Sequence, residues 1–314
     1  MPRPFSVPMT TATGFGPLPD LLVERCGERA VQRVFASERL PLVLVEDRRH
    51  LVPFAAMLGV FEQAARRAGN RTFGFDVGAG MSEGSYGVWL DYAGEAPTLG
   101  DALRRAVSAI RFHQTGGRLS LDPSGGSVVW RYWPPPVPGD HTQHSDHVIA
   151  PMIGMVARYA GPGWRPRAIE VNYPRDPAAC ALERRTGVPI RFGAPAVGIE
   201  IPVADLGAAR TGACVPAAAG PLTLREVAAS SVLAEETEPL RSMRAIVALR
   251  LMEGRTDIEG AAAMAGIGVQ AVQRRLREAG LSYRDVVGAA RLARAEALLR
   301  ETDLSVTEIA LELG

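Results

Sequence analysis

The chain has 314 residues, about twice the ~150 that one domain usually takes, so two domains are expected. Apolar residues make up 47% and charged residues 22%, which leaves material for a sizeable core and excludes general disorder. The net charge is +1 and all 35 basic residues are Arg, so the whole-chain charge neither demands nor forbids an acidic partner.

The first residues carry Pro2, Pro4, Pro8, Pro17 and Pro19, and residues 1–14 read as a loose arm. Residues 20–67 read as helical. Apolar positions recur there at three- and four-residue steps, most clearly at Phe54, Met57, Leu58, Phe61, Ala64 and Ala65, up to a stop at Gly69 and Asn70. Residues 72–77 and 86–92 alternate apolar with small or polar residues and predict two strands. A helix follows over 98–113, with Asp101 in its first turn, where the helix dipole favours an acid. Residues 118–132 predict a hairpin turning between Pro123 and Gly126. A Pro-rich loop over 133–139 leads to a helix near 147–159. Short strands are expected at 168–172, 190–192 and 197–201, with a helix at 178–186. Residues 15–210 therefore read as an α+β domain. Residues 211–221 have the small, Pro-punctuated composition of a linker. Everything from 222 to 314 reads as helix.

Cys26, Cys180 and Cys214 are odd in number and far apart, which fits reduced thiols in a cytoplasm rather than a disulfide framework or zinc cage. The apolar run at 148–157 contains Pro151 and Gly154 and is too short to span a bilayer, so a soluble cytoplasmic protein with no membrane partner is expected.

The C-terminal part parses into helices by its caps. Thr256 with Glu259, Ser282 with Asp285 and Ser305 with Glu308 all have capping-box spacing. Between the first two lies a short helix of small residues, the turn Gly266, Ile267 and Gly268, and a second helix over 269–279 closed by Gly280. That is the layout of a helix-turn-helix. In the second helix Val269, Val272, Leu276 and Ala279 share the core side. Gln270, Gln273, Arg274 and Arg277 take the other face, with Arg275 beside them. Glutamine pairs bidentately with adenine and arginine with guanine, so this face suits a major groove of double-stranded DNA. Residues 269–300 carry a charge of +4, with Arg291 on the following helix, whereas residues 1–240 balance to zero. The basic region supplies attraction for phosphates.

Three spaced stretches, residues 262–280, 282–295 and 298–310, resemble in order and spacing the DNA-binding domain of AraC/XylS-type transcription regulators. The resemblance implies two helix-turn-helix units joined by a long helix over 282–300, with base contacts from Gln270, Gln273 and Arg274. Gly268 stands where the family usually has a Ser cap. The second unit would open at Ser305, and its recognition helix would follow Gly314, so residues 302–314 are expected to be frayed or held by a neighbouring molecule. Upstream, residues 73–78, 84–87, 98–103, 188–193 and 198–202 are similar to the non-cupin "arabinose-binding" sensor domain of one branch of that family. This implies a small-molecule effector and a homodimer held through the N-terminal domain, with no cofactor and no catalysis.

Three local patterns compete with that reading. Gly80, Ser82 and Gly84 match the G-x-S-x-G elbow of hydrolases, but strand-like sequence follows where a helix is needed, so the segment reads as a Gly-rich connection. His141, His144 and His147 stand beside Asp140 and Asp146. With no H-E-x-x-H and no Cys partner they read as a polar loop, with Asp146 capping the next helix, rather than as a metal site. The alternative function is a hydrolase or metal-dependent enzyme with a non-functional helical tail. The residues expected to line an effector pocket are Trp89, Arg111, His113, Trp130 and Arg175, with Tyr92, Tyr132 and Trp133 also considered, because pockets combine aromatic walls with a few polar anchors.

Overall fold

Residues 9–15 contain no proline, and they do not form a loose arm. β1 (Met9–Thr11) pairs antiparallel with β2 (Leu51–Pro53), Met9 lying opposite Pro53. Pro8 precedes the strand, where its missing N–H removes no ladder bond, and its carbonyl accepts from the Phe54 N–H at 2.8 Å. The structure, a computed structural model, describes residues 6–81, 85–210, 221–231, 233 and 237–314. Ser82, Cys214 and nearly all of the expected linker lie outside the described residues.

The helical stretch expected at 20–67 is divided by Gly27 and by the prolines at 41 and 53 into α1 (Leu18–Cys26), α2 (Glu28–Ser37), β2 and α3 (Phe54–Ala68). Both strands expected next are helices, α4 (Phe73–Ala79) and α5 (Val88–Gly94). In windows this short, Phe73 and Val77 satisfy a four-residue step as readily as alternation, and the burial available decides between the two. α6 (Leu99–Ala109) is capped as expected, the Thr98 hydroxyl accepting from the Asp101 N–H.

β3 (Arg118–Ser124) and β4 (Ser127–Trp133) form the expected hairpin, turning at Gly125 and Gly126. α7 (Thr142–Ala160) begins earlier than expected, so Asp146 is inside the helix and buried rather than at its cap. β5 (Ile169–Glu170), α8 (Ala179–Thr186), β6 (Ile190–Arg191) and β7 (Val197–Pro202) complete a five-stranded sheet of order β3-β4-β7-β5-β6. Only the β5–β6 pair is parallel. One core lies between this sheet and α5, α6, α7 and α8.

The remaining helices are α9 (Leu224–Ser230), α10 (Leu240–Leu251), α11 (Ile258–Ala265), α12 (Val269–Glu278), α13 (Tyr283–Glu301) and α14 (Val306–Leu313). α9 packs on α5, burying Val227 in the sheet-side core. α10 to α13 share a second core with α1, α2 and α3, including Met243, Ile246, Val272 and Leu276. At the rim of that contact Arg49 reaches both carboxylate oxygens of Glu301, at 3.0 and 3.1 Å. Among the described residues no helix is long and apolar enough to cross a membrane.

Candidate functional site

The period of two in β4 sends Trp130 and Tyr132 inward, while Arg131 points to the other face and pairs with Asp122 and Glu170. On α7, His144, His147 and Pro151 fall on one side of the helix and face the same space. With Trp89 of α5, His113, Tyr86 and Met57 of α3 they wall a cavity of about 70 Å³. Trp89 stacks on His113 at 5.3 Å between ring centroids, and the Tyr86 hydroxyl lies 2.7 Å from His147 Nε2. Gln114 engages the Tyr132 hydroxyl at 3.0 Å. Burial holds the imidazoles neutral: it depresses His113 to about 4 and His147 to about 3, and pushes His144 down as well.

Of the residues expected around a pocket, the structure brings Trp89, His113, Trp130 and Tyr132 together here. It does not bring Arg111 or Arg175. Arg111 is exposed and lies over the Phe112 ring, and Arg175 pairs with Glu183 at 2.9 Å at the surface. Both guanidiniums keep water contact, which a mostly apolar cavity would deny them. Tyr92 and Trp133 likewise stand elsewhere, against Arg105 and Arg118. Tyr86, His144 and His147 also line the cavity, without being expected there. The three-residue step of the histidines was visible, but the segment read as loop.

The cavity is supported by a close crossing. The FGFDVG stretch is helix α4 lying against α7, and a Cβ on Gly74 or Gly78 would meet the backbone oxygen of Gln143 or His147 at 1.9 and 2.1 Å. Gln143 ties the crossing together, its side-chain oxygen accepting from the Gly74 N–H at 2.8 Å. Nearby, Arg71 donates to Asp146 at 2.5 Å and to Asp176 at 2.7 Å, and Tyr173 donates to Asp146. Burial raises Asp146 to about 6 in spite of Arg71. His141 is outside this group; its Nε2 lies 3.0 Å from the Val137 carbonyl. Because α4 is a helix, the strand that a G-x-S-x-G elbow requires before its Ser is not there.

Glu62 accepts the Gln143 backbone N–H at 2.7 Å, and burial raises its carboxyl to about 7 from the ordinary 4.5. A raised acid favours folding most below its unfolded value, and that contribution is lost as pH climbs through about 7. Glu62→Gln keeps the accepting oxygen and removes the ionisation. Relative to the parent, the variant should gain stability from pH 4.5 to about 7 in urea unfolding and level off above that. A difference that stays flat over that range would show that Glu62 ionises at the same pH folded and unfolded, so that burial does not raise its carboxyl.

In the C-terminal part, α11 is capped by Asp257, which accepts from the Gly260 N–H at 2.7 Å, and not by the expected box at Thr256. An aspartate directly before the helix outcompetes the threonine one position earlier. Gly266 closes α11 in the left-handed region at φ 70°, a conformation that other residues reach at a cost, and this turns the chain sharply into α12. Val272 and Leu276 bury against the bundle. Gln270, Gln273, Arg274 and Arg277 are exposed along one stripe, Arg274 at 63%. Arg275 is half-buried and off that stripe, and Ala279 ends the helix exposed rather than facing the core. Arg291 is half-buried on α13, with its guanidinium beside Gly314.

The Ser282–Asp285 and Ser305–Glu308 capping boxes both form. Within residues 302–314, α14 forms, held by its cap and by Ile309 packing down, while Val306 and Leu311 stay 72% and 79% exposed.

Residues 29–209 match a family described as the arabinose-binding domain of AraC transcription regulator, N-terminal. A comparison with curated proteins gave no match. Among solved structures, the transcriptional regulator CdpR from Pseudomonas aeruginosa is similar at 19% identity and a TM-score of 0.42, over 91% of this chain and 89% of that one. Since the family match covers more than half of its length, the chain belongs to the AraC transcription regulators that carry this N-terminal domain.

Proposed function

We propose that this transcription regulator binds double-stranded DNA through α12 and answers to a small molecule held in the N-terminal cavity. The observation that carries the DNA side is the exposed stripe of Gln270, Gln273, Arg274 and Arg277 on a helix whose opposite face is buried. Arg274 is the strongest base reader of the stripe. Its Nε stands 3.9 Å from Glu278, so only a loose pair must open before it reaches a base edge. Arg277 is held lower on the helix, donating to the Gln273 carbonyl at 3.3 Å.

Signalling from cavity to DNA needs a ligand with different affinity for two arrangements of the helices. The shared core of α1–α3 and α10–α13 supplies the physical connection for such a difference.

The test is selection of duplexes from a random library with the full chain, followed by Arg274→Ala. The variant should bind the selected duplex more weakly by about 1–3 kcal/mol and lose preference at one base pair. An equal loss on every sequence, with the salt slope reduced by about one, would instead make Arg274 a phosphate contact.

A further inference from the structure

We propose that the N-terminal cavity takes a small, neutral, ring-bearing ligand that presents a hydrogen-bond acceptor to the indole N–H groups of Trp89 and Trp130, and not a sugar or an ionised metabolite. This rests on the sensor reading above and names the chemistry of its ligand.

The walls supply the first argument. Two indoles, two phenols and three imidazoles surround the space, and none of the described residues lining it is an acid or an arginine. An anion would find no cation there, because burial keeps all three histidines neutral. A cation would find no carboxylate. Flat apolar rings, by contrast, pack favourably against aromatic faces and edges.

The polar inventory supplies the second. The Tyr86 hydroxyl is engaged by His147, the Tyr132 hydroxyl by Gln114, and His113 Nδ1 lies 3.2 Å from the Thr11 hydroxyl. The indole nitrogens of Trp89 and Trp130 and Nδ1 of His147 are buried without a partner. A buried donor without an acceptor is expensive to leave so, and an acceptor on the ligand removes that expense. A sugar needs a partner for every hydroxyl it brings out of water, and beside these groups only the His144 ring nitrogens, His113 Nε2, the Thr10 hydroxyl and the Gln114 amide are polar in a wall that is otherwise apolar. At about 70 Å³ the space is smaller than the cavity of about 150 Å³ that holds benzene, which limits the ligand to one ring and requires the walls to give as it enters.

Four probes separate the possibilities: acetophenone (a ring with an acceptor), toluene (a ring without one), benzoate (the same ring ionised) and L-arabinose. Calorimetric titration of the full chain should show acetophenone binding at least tenfold more tightly than benzoate or L-arabinose. Trp89→Phe and Trp130→Phe keep a ring in the wall and remove a donor. Each should weaken acetophenone about tenfold and leave toluene within about twofold, and the toluene titration doubles as the check that the variants fold. Benzoate or L-arabinose binding as tightly as acetophenone, or acetophenone indifferent to both tryptophan changes, would overturn the ligand class. If acetophenone follows the expected profile while DNA affinity is unmoved by it, the ligand class stands and the sensor reading falls.

Discussion

Gly78→Ala should destabilise the protein by about 3 kcal/mol, although the same exchange in an ordinary helix stabilises by up to about 1 kcal/mol. The added Cβ would stand 2.1 Å from the backbone oxygen of His147, and backbone cannot rotate away as a side chain can. α4 must lift off α7, which also shifts His144 and His147, the two α7 histidines in the cavity wall. Gly154→Ala is the control. Gly154 lies on the exposed side of α7 with open space around its Cβ direction, so alanine there should be neutral or mildly stabilising. Urea unfolding of both variants decides the matter. Equal midpoints would mean that the α4–α7 crossing tolerates a methyl group and is not the close contact described.

Arg71→Met should cost about 3–5 kcal/mol, the usual penalty for stranding a buried charge. Asp146 is fully buried, and Arg71 is the cation that faces it, with Tyr173 as a second donor. Removing the guanidinium raises the Asp146 carboxyl above its already elevated value of about 6. The loss should therefore be largest at pH 8 and smaller near pH 4, where the buried acid is protonated with or without Arg71. Arg71→Met with Asp146→Asn should recover most of the stability, because no charge is then left alone. A double variant no more stable than the single one, with no pH dependence, would show that Arg71 acts through packing on Tyr173 and not through Asp146.

The sequence was most legible where local chemistry is strong. The Ser282–Asp285 and Ser305–Glu308 boxes, the Thr98 cap, the hairpin over β3 and β4 and the inward placement of Val272 and Leu276 all rest on contacts within a few residues. The stripe of Gln270, Gln273, Arg274 and Arg277 could be read for the same reason, since helical period alone separates it from the buried side. Thr256 and Asp257 show the limit, two possible caps one residue apart, settled by which side chain meets the Gly260 N–H.

Elsewhere the deciding partner is far along the chain. The stretch 73–78 carries Gly and aromatic residues that suit a strand or a helix. It is a helix because Gly74 and Gly78 let it lie on α7, some seventy residues later. The short β1 likewise exists only because β2 is there to accept it. The same holds for the cavity. Composition suggested that tryptophans and histidines would gather, and sequence alone also enlisted Arg111 and Arg175, because it cannot tell a buried site from a solvated one. Local sequence is enough to set α11, the glycine turn after it, α12 and the polar stripe of α12, through helical periodicity and turn chemistry. Which aromatic residues meet in the cavity, and which donors there lack partners, follows from long-range packing, because burial is a property of what arrives from elsewhere in the chain.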